Sequence, residues 1–410
     1  MKKIFMLLAA GAMSMPVMAT YMEAPAAADE GVVVPDSTGF KFMDVKVLPT
    51  TPVKDQNKSG TCWAFSGMSA LEDEVLRQGG PELDLSEMYC VRNCYIDKAR
   101  KYIRTGGKIN FAQGGGFGDV LYALGTYGTV PEEVYSGLNY GEEKHSHYEM
   151  ANALEAYLNV ILTNPNKRLS TAWLPGFIGI LDAYLGKAPE SFTYEGKTYT
   201  PQEYAKSIGL DAARFGSYTS YTHHPFYTDF ALEIPDNWLW GMSHNVPMDD
   251  LKQIVDNALE NGYTVAWAAD VSEPTFKWRE GYAVLPLDKG AEDMEGSELA
   301  RWVQLSDSDR EKEKNNIKGP VKERVVTQED RQRTFDNMET TDDHGMVIVG
   351  YATDQEGNRY YKVKNSWDTN QLYGGYIYVS EPYFLEKTLS VMVNNDAVPA
   401  SIAKKFNTGK

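Results

Sequence analysis

A cysteine, a histidine and two side-chain amides in this chain are of the types that let sulfur attack a carbonyl carbon. Cys62 lies in the run Gln56-Asn57-Lys58-Ser59-Gly60-Thr61-Cys62-Trp63-Ala64-Phe65-Ser66. A thiolate nucleophile needs an imidazole partner, a group that orients the imidazole, and donors for the oxyanion of the tetrahedral intermediate. His344 follows the acidic pair Asp342-Asp343, and Asn365 stands in Lys364-Asn365-Ser366-Trp367. Gln56 is close enough in sequence to set its amide beside the Cys62 backbone N–H. Each residue alone has a structural alternative. A free cysteine is commonly a small buried hydrophobe, a histidine at a strand start a hydrogen-bonder, an Asn-Ser pair a turn, and a glutamine a loop solvator. Accident does not readily give all four in the order Gln, Cys, His, Asn.

The elements that must position these groups are legible from periodicity. After Ala64 the apolar residues recur at Met68, Leu71 and Val75, and Gly79-Gly80 supplies a stop, which predicts a helix with Cys62 in its first turn. There the unpaired N–H groups and helix dipole favour an anion, so the Cys62 thiol is expected to have a lowered pKa. His344 to Tyr351, Arg359 to Lys364 and Gly375 to Val379 read as strands, with Asp354 to Asn358 joining the first two as a hairpin. That hairpin brings His344 and Asn365 side by side. Between the two ends, residues 119 to 260 read as mainly helical, separated by connections such as Tyr218 to Trp240, and Tyr263 to Ala268 is rich in strand formers. The cluster Ala112-Gln113-Gly114-Gly115-Gly116-Phe117-Gly118 lets backbone approach a ligand or makes a turn. It lacks the Lys-Ser or Lys-Thr of a phosphate-binding loop.

Composition narrows the partners. The 410 residues are 42% hydrophobic and 12% aromatic, enough for a large core, and the formal charge of −17 opposes nucleic acid and anionic membrane surfaces. Residues 1–19 read as a signal peptide, with Lys2 and Lys3 as basic region, Ile4 to Ala12 as apolar core and Val17-Met18-Ala19 as cleavage site. That core is shorter than the ~20 residues of a membrane span, and no cysteine follows it to take a lipid. The expected location is therefore secreted or periplasmic, without a membrane anchor. Residues 20–38 have the composition of a flexible lead-in. Cys90 and Cys94, four apart in a helix with Asp84 and Glu87 as a capping box, are expected as core or reduced thiols. His145, His147, His223 and His224 are expected on surface loops, so no metal and no cofactor is foreseen. The mixed-charge stretch 287–326 reads as an exposed insertion.

Gln56 to Ser66, Asp343-His344-Gly345-Met346 and Asn365-Ser366-Trp367 together resemble the three signature blocks of papain-like cysteine peptidases. The long separation of Cys62 from His344 is similar to the bleomycin hydrolase and bacterial aminopeptidase C branch, which carries a large helical insertion. Tyr127-Gly128-Thr129-Val130-Pro131 and Thr200-Pro201-Gln202-Glu203-Tyr204 also resemble segments of that branch. The resemblance implies an α+β, two-lobed fold, helical on the Cys62 side and antiparallel β-rich on the His344 side. A peptidase domain would span 39–400, with a helical insertion at about 140–250 and a short tail at 401–410. It implies Cys62 as nucleophile, His344 as base and acid, Asn365 as its orienting group, and Gln56 with the Cys62 N–H as oxyanion hole. Trp367 would cover the His344 to Asn365 hydrogen bond, and Gly114, Gly115 and Gly116 would offer the substrate-binding edge. Peptides are the expected substrates, cleaved through an acyl-thioester by aminopeptidase action, with assembly into a homo-oligomer, a hexamer by resemblance. Two departures stand out: Asp368 replaces the glycine usual after Asn-Ser-Trp, and the tail looks too short and basic for the arm whose carboxylate holds the substrate amine in this branch. The alternatives are therefore endopeptidase action, acyl transfer to an amine, and an inactive binding protein of the same fold.

Overall fold

The helix that begins at Cys62 is buried on nearly every side, from Trp63 through Val75. Those buried residues include Glu72, Asp73 and Glu74 as well as apolar ones, and the helix is wedged between a helical lobe and a sheet. The computed structural model describes residues 39–287, 294 and 296–407; the segments expected as signal peptide and lead-in, and part of the stretch expected as a charged insertion, lie outside them. In chain order the helices are α1 (Cys62–Arg77), α2 (Glu87–Arg104), α3 (Phe117–Tyr127), α4 (Tyr148–Leu162), α5 (Trp173–Leu185), α6 (Pro201–Ser207), α7 (Met248–Glu260), α8 (Gly296–Trp302), α9 (Asp307–Lys314), α10 (Gln328–Asp336), α11 (Glu381–Lys387) and α12 (Ala400–Ala403). The strands are β1 (Met43–Val47), β2 (Phe192–Tyr194), β3 (Lys197–Tyr199), β4 (Phe215–Thr219), β5 (Asp229–Ala231), β6 (Met242–Asn245), β7 (Val265–Ala269), β8 (Phe276–Lys277), β9 (Tyr282–Ala283), β10 (His344–Thr353), β11 (Arg359–Lys364), β12 (Tyr376–Ser380) and β13 (Thr388–Asn394).

The helical lobe is built where the sequence alternates at the helical period. Phe65, Met68, Leu71 and Val75 of α1 share one core with Met88, Val91 and Tyr95 of α2, Val120 and Leu124 of α3, and Leu154, Leu158, Phe177 and Leu181 of α4 and α5. The cap of α2 differs from expectation: the Ser86 side chain accepts from the Tyr89 N–H at 3.0 Å, because Asp84 is drawn instead to the Lys54 ammonium at 2.7 Å. Cys90 and Cys94 are both buried and free.

The second lobe is the main sheet, whose strands run β5, β6, β4, β13, β7, β10, β11, β12, β9, β8, with β1 added beside the far half of β10. Its central strand β10 is almost wholly buried, as a strand covered on both faces must be. Val347 and Val349 face Ala70 of α1, whereas Met346 and Ile348 face α7 and Ile402 of α12. The expected run of helices between 119 and 260 is interrupted by β4, β5 and β6, which extend the main sheet. Strands of three to five residues with polar members, such as Met242-Ser243-His244-Asn245, are too short to display a period of two.

A buried ionic cluster joins the lobes. The Lys54 ammonium lies 2.8 Å from Glu72 of α1 and 2.6 Å from Glu87 of α2. Next to it, Thr51 donates its N–H to Asp73 at 3.0 Å and its hydroxyl to Glu72 at 2.7 Å, and its carbonyl accepts from Lys364 of β11 at 2.7 Å. Burial lowers the Lys54 pKa, but Glu87, Glu72 and Asp84 outweigh it and hold the ammonium well above its usual value. Burial pushes Glu87 up to about 7 against the pull of Lys54. Lys54→Met strands the carboxylates of Glu72 and Glu87 in the interior, for which a loss of about 3 to 5 kcal/mol is expected. Thermal melts at pH 8 and pH 5 check this. The drop in Tm is smaller at pH 5, below the Glu87 value, where protonation removes one uncompensated charge.

Candidate active site

Cys62 is the first residue of α1, and its N–H has no intrahelical acceptor. The thiol sits half-buried against β10, where the Gly345 N–H donates to it. That approach depends on glycine: a Cβ at position 345 would stand 2.7 Å from the Ser66 hydroxyl of α1. The register of β10 against β7 pairs His344 with Ala269 and so fixes His344 at the strand's start, one residue from the sulfur's donor.

Asn365 follows β11, the antiparallel neighbour of β10, and its Oδ1 lies 2.7 Å from His344 Nε2. The same oxygen accepts from the Ser366 N–H at 2.7 Å. An atom that accepts from an amide is an oxygen, so the side-chain orientation is set, and His344 must donate from Nε2. The neutral ring then carries its lone pair on Nδ1. The Trp367 ring lies over the imidazole at 4.4 Å between centroids, with Trp278 edge-on behind it at 5.5 Å. These rings exclude water from the His344 to Asn365 bond.

Gln56 reaches the site through the loop that carries Asn365. Its backbone N–H donates to Ser366 O at 2.9 Å, and its Oε1 accepts from the Ser366 hydroxyl at 2.7 Å. One proton of its Nε2 is used on Ser59 O at 2.8 Å, which leaves the second for another acceptor. Asp368, the residue in place of the usual glycine, has a φ of 67°. The left-handed region disfavours a side chain, and Asp368 offsets this by accepting the Asn370 N–H at 2.6 Å as an Asx turn.

Gly114, Gly115 and Gly116 lie on the α1 side of the same place. A Cβ at Gly115 would come within 2.9 Å of the Trp63 ring, and the Gly116 N–H donates to Asp119 at 2.9 Å. Lys98 supports the run from below, donating to Gly114 O at 2.5 Å and Ala112 O at 2.9 Å. Two carboxylates that the sequence did not single out, Asp236 and Asp342, stand near enough to Cys62 to act on its charge. Asp342 was visible beside His344; Asp236, inside an irregular aromatic connection, gave no signal.

The electrostatics overturn the expectation for the thiol. Burial pushes Cys62 up to about 12, with Asp236 and Asp342 adding to the rise, and the N–H groups of Gly345 and Trp63 only partly counter it. Burial likewise drives His344 down to about 4, against the opposing Asn365 hydrogen bond. Each shift is the cost of one charge formed alone. A thiolate and an imidazolium formed together would be each other's counter-ions, and proton transfer from Cys62 to His344 would then give the sulfur its nucleophilicity.

The other histidines separate into two settings. His145 and His147 are buried rather than on surface loops, and burial lowers them to about 4 and about 3. His223 and His224 share Glu233, each with a nitrogen 3.1 Å from one of its oxygens.

Comparison with known proteins fits this geometry. The model of the papain family of cysteine proteases matches residues 40–151, and that of the Peptidase C1-like family matches residues 323–410. The two ends of the chain are thus similar to papain-like cysteine peptidases, and over most of its length the chain is similar to aminopeptidases C. Aminopeptidase C of Lactobacillus helveticus is 24% identical, across 88% of this chain and 84% of its own length. The mitochondrial cysteine proteinase 1 of Saccharomyces cerevisiae (strain JAY291) is 22% identical, across 90% and 80%. The crystal structure of pepW from Lactobacillus rhamnosis HN001 superposes with a TM-score of 0.66 at 18% identity, over 89% of this chain and 84% of that one.

Removing the imidazole leaves the thiolate without its counter-ion. In His344→Ala, alkylation of Cys62 by iodoacetamide at pH 7 is expected to slow by about a hundredfold or more, with its onset displaced to strongly alkaline pH. Rate against pH for parent and variant measures this.

Proposed function

We propose that this protein is a cysteine aminopeptidase that removes N-terminal residues from peptides through an acyl-thioester on Cys62. The observation that carries the reading is the His344 to Asn365 bond under Trp367, assembled against the Cys62 helix. In this mechanism His344 Nδ1 takes the Cys62 proton as sulfur attacks the carbonyl carbon. The Cys62 N–H and the spare proton of Gln56 Nε2 receive the developing oxyanion. Protonated His344 then gives its proton to the departing amine. A water, deprotonated by the same nitrogen, cleaves the thioester, while Asn365 keeps the ring in one orientation through both steps. Aminopeptidase specificity is carried to this chain from the aminopeptidases C to which it is similar.

Two further readings belong with it. The basic, apolar and small-residue order of residues 1–19 supports export, to the periplasm of a double-membrane cell or outside a cell. Self-association is supported by β1, an outer strand on which Met43, Val45 and Val47 are all exposed. An apolar strand edge of this kind is normally covered.

Amides of single amino acids with free and with acetylated N-termini separate the modes of cleavage: the free forms are expected to be turned over at least tenfold faster, and equal rates would sink the aminopeptidase assignment. Asn365→Ala should lower kcat by about 10- to 100-fold with little change in KM, since orientation of the base acts in the transition state. Light scattering on the purified chain should give a multiple of the 45.9 kDa protomer, six by resemblance; a monomer at micromolar concentration contradicts the oligomer.

A further inference from the structure

Beside Cys62 there are more acceptors than donors. Asp119 is provided for, since its Oδ2 accepts from the Gly116 N–H and from Trp238 Nε1, both at 2.9 Å. Asp236 takes one bond, from Asn110 Nδ2 to its Oδ1 at 2.9 Å. Its Oδ2 lies directly over Gly114, in the space where a Cβ would come within 1.8 Å of it. Only a glycine at 114 admits the carboxylate there, so the two are built for one another. Asp342, two residues before His344, accepts the Asp236 N–H, while its buried Oδ2 has no hydrogen-bond partner among the described residues.

Lys98 is the cation that acts on Asp119 and Asp236, and two of its three protons go to the Ala112 and Gly114 carbonyls. Buried carboxylate oxygens are ordinarily hydrogen-bonded or paired. The Asp342 Oδ2 is consequently an acceptor open to a donor from outside the chain. Burial, reinforced by Asp236 and Asp343, pushes Asp342 up to about 8, the behaviour of a carboxyl that lacks a cation.

The position of this acceptor selects its donor. Asp236 and Asp342 both act on the Cys62 sulfur, and Asp236 is seated on the glycine run that adjoins Trp63. In a peptide whose first carbonyl carbon is attacked by Cys62, the α-amino nitrogen is only two bonds from that carbon. An ammonium there presents three protons and no acceptor. We propose that Asp342 and Asp236 hold the free α-ammonium group of the substrate beside Cys62, so that side chains of the fold itself select peptide N-termini. This rests on the assignment of Cys62 as the peptidase nucleophile. An ammonium reaching the same pocket from a lysine side chain one residue upstream has the same chemistry, and substrate choice distinguishes the two sources.

The experiment compares kcat/KM of parent, Asp342→Asn, Asp342→Glu and Asp236→Asn on Leu-amide, acetyl-Leu-amide and acetyl-Lys-Leu-amide fluorogenic substrates. Asparagine at 342 should cut the preference for the free over the acetylated leucine substrate by about a hundredfold, as expected when a buried charge pair loses one partner. Glutamate at 342 should restore most of that preference, and Asp236→Asn should lower it by about tenfold. Inhibition of the parent by butylammonium, competitive with Leu-amide and weakened in Asp236→Asn, gives a readout that does not depend on the Asp342 variants folding. A preference unchanged in both asparagine variants overturns the inference, as does a parent that favours acetyl-Lys-Leu-amide over Leu-amide. In the first case the aminopeptidase reading survives. A parent that cleaves none of the three and is not alkylated at Cys62 removes that reading as well.

Discussion

The ionic cluster around Lys54 and Lys364 is the constraint on which the site depends. Three carboxylates, on Glu72, Asp73 and Glu87, are buried between the lobes, and each needs a partner there. The segment 50–56 supplies Lys54 and Thr51 to them, and in doing so is held in one extended path that ends at Gln56. Lys364 of β11 reaches the same place, and the next residue is Asn365. One network therefore sets the positions of Gln56, the helix of Cys62 and the Asn365 amide. Its interior charges give little net stability, but they tolerate few alternative arrangements.

Reactivity is arranged by a similar opposition. The site is dry enough to penalise a lone thiolate and a lone imidazolium, and it is this penalty that makes their mutual attraction large. A wetter site would ionise Cys62 more readily alone and gain less from His344. Trp367 and Trp278 are part of this balance, since they shield the imidazole and its bond to Asn365. The acceptor-rich neighbourhood of Asp236 and Asp342 works the other way, raising the thiol further until a cation neutralises it.

Much of this was legible in the sequence because it is local. The helix of Cys62, the hairpin bearing His344 and Asn365, and the glycine run all carry their period or turn chemistry within a dozen residues. What was hidden is tertiary. Burial, which no local pattern reports, reversed the expected shift of the Cys62 pKa and placed His145 and His147 inside. Asp84 has the chemistry of a helix cap, yet a lysine thirty residues earlier claims it, so Ser86 caps α2 instead. Strands β4 to β6 are specified by pairing with β13 and with one another rather than by their own alternation. Asp236 acquires its role only because the chain folds it onto Gly114.

The division of the site between two remote stretches of chain also orders events in time. A ribosome delivers the Cys62 helix and its packing partners α2 and α3 long before β10 and β11 exist. These early elements rest on local contacts and can form quickly, whereas contacts between residues near 50 and residues near 360 carry a large loop-closure entropy and form late. Until then the nucleophile has no base, and its thiol is an ordinary buried one. A chain that is unfinished, or finished and unfolded, is thus harmless to the peptides around it: completion of the sheet is the step that turns the protease on.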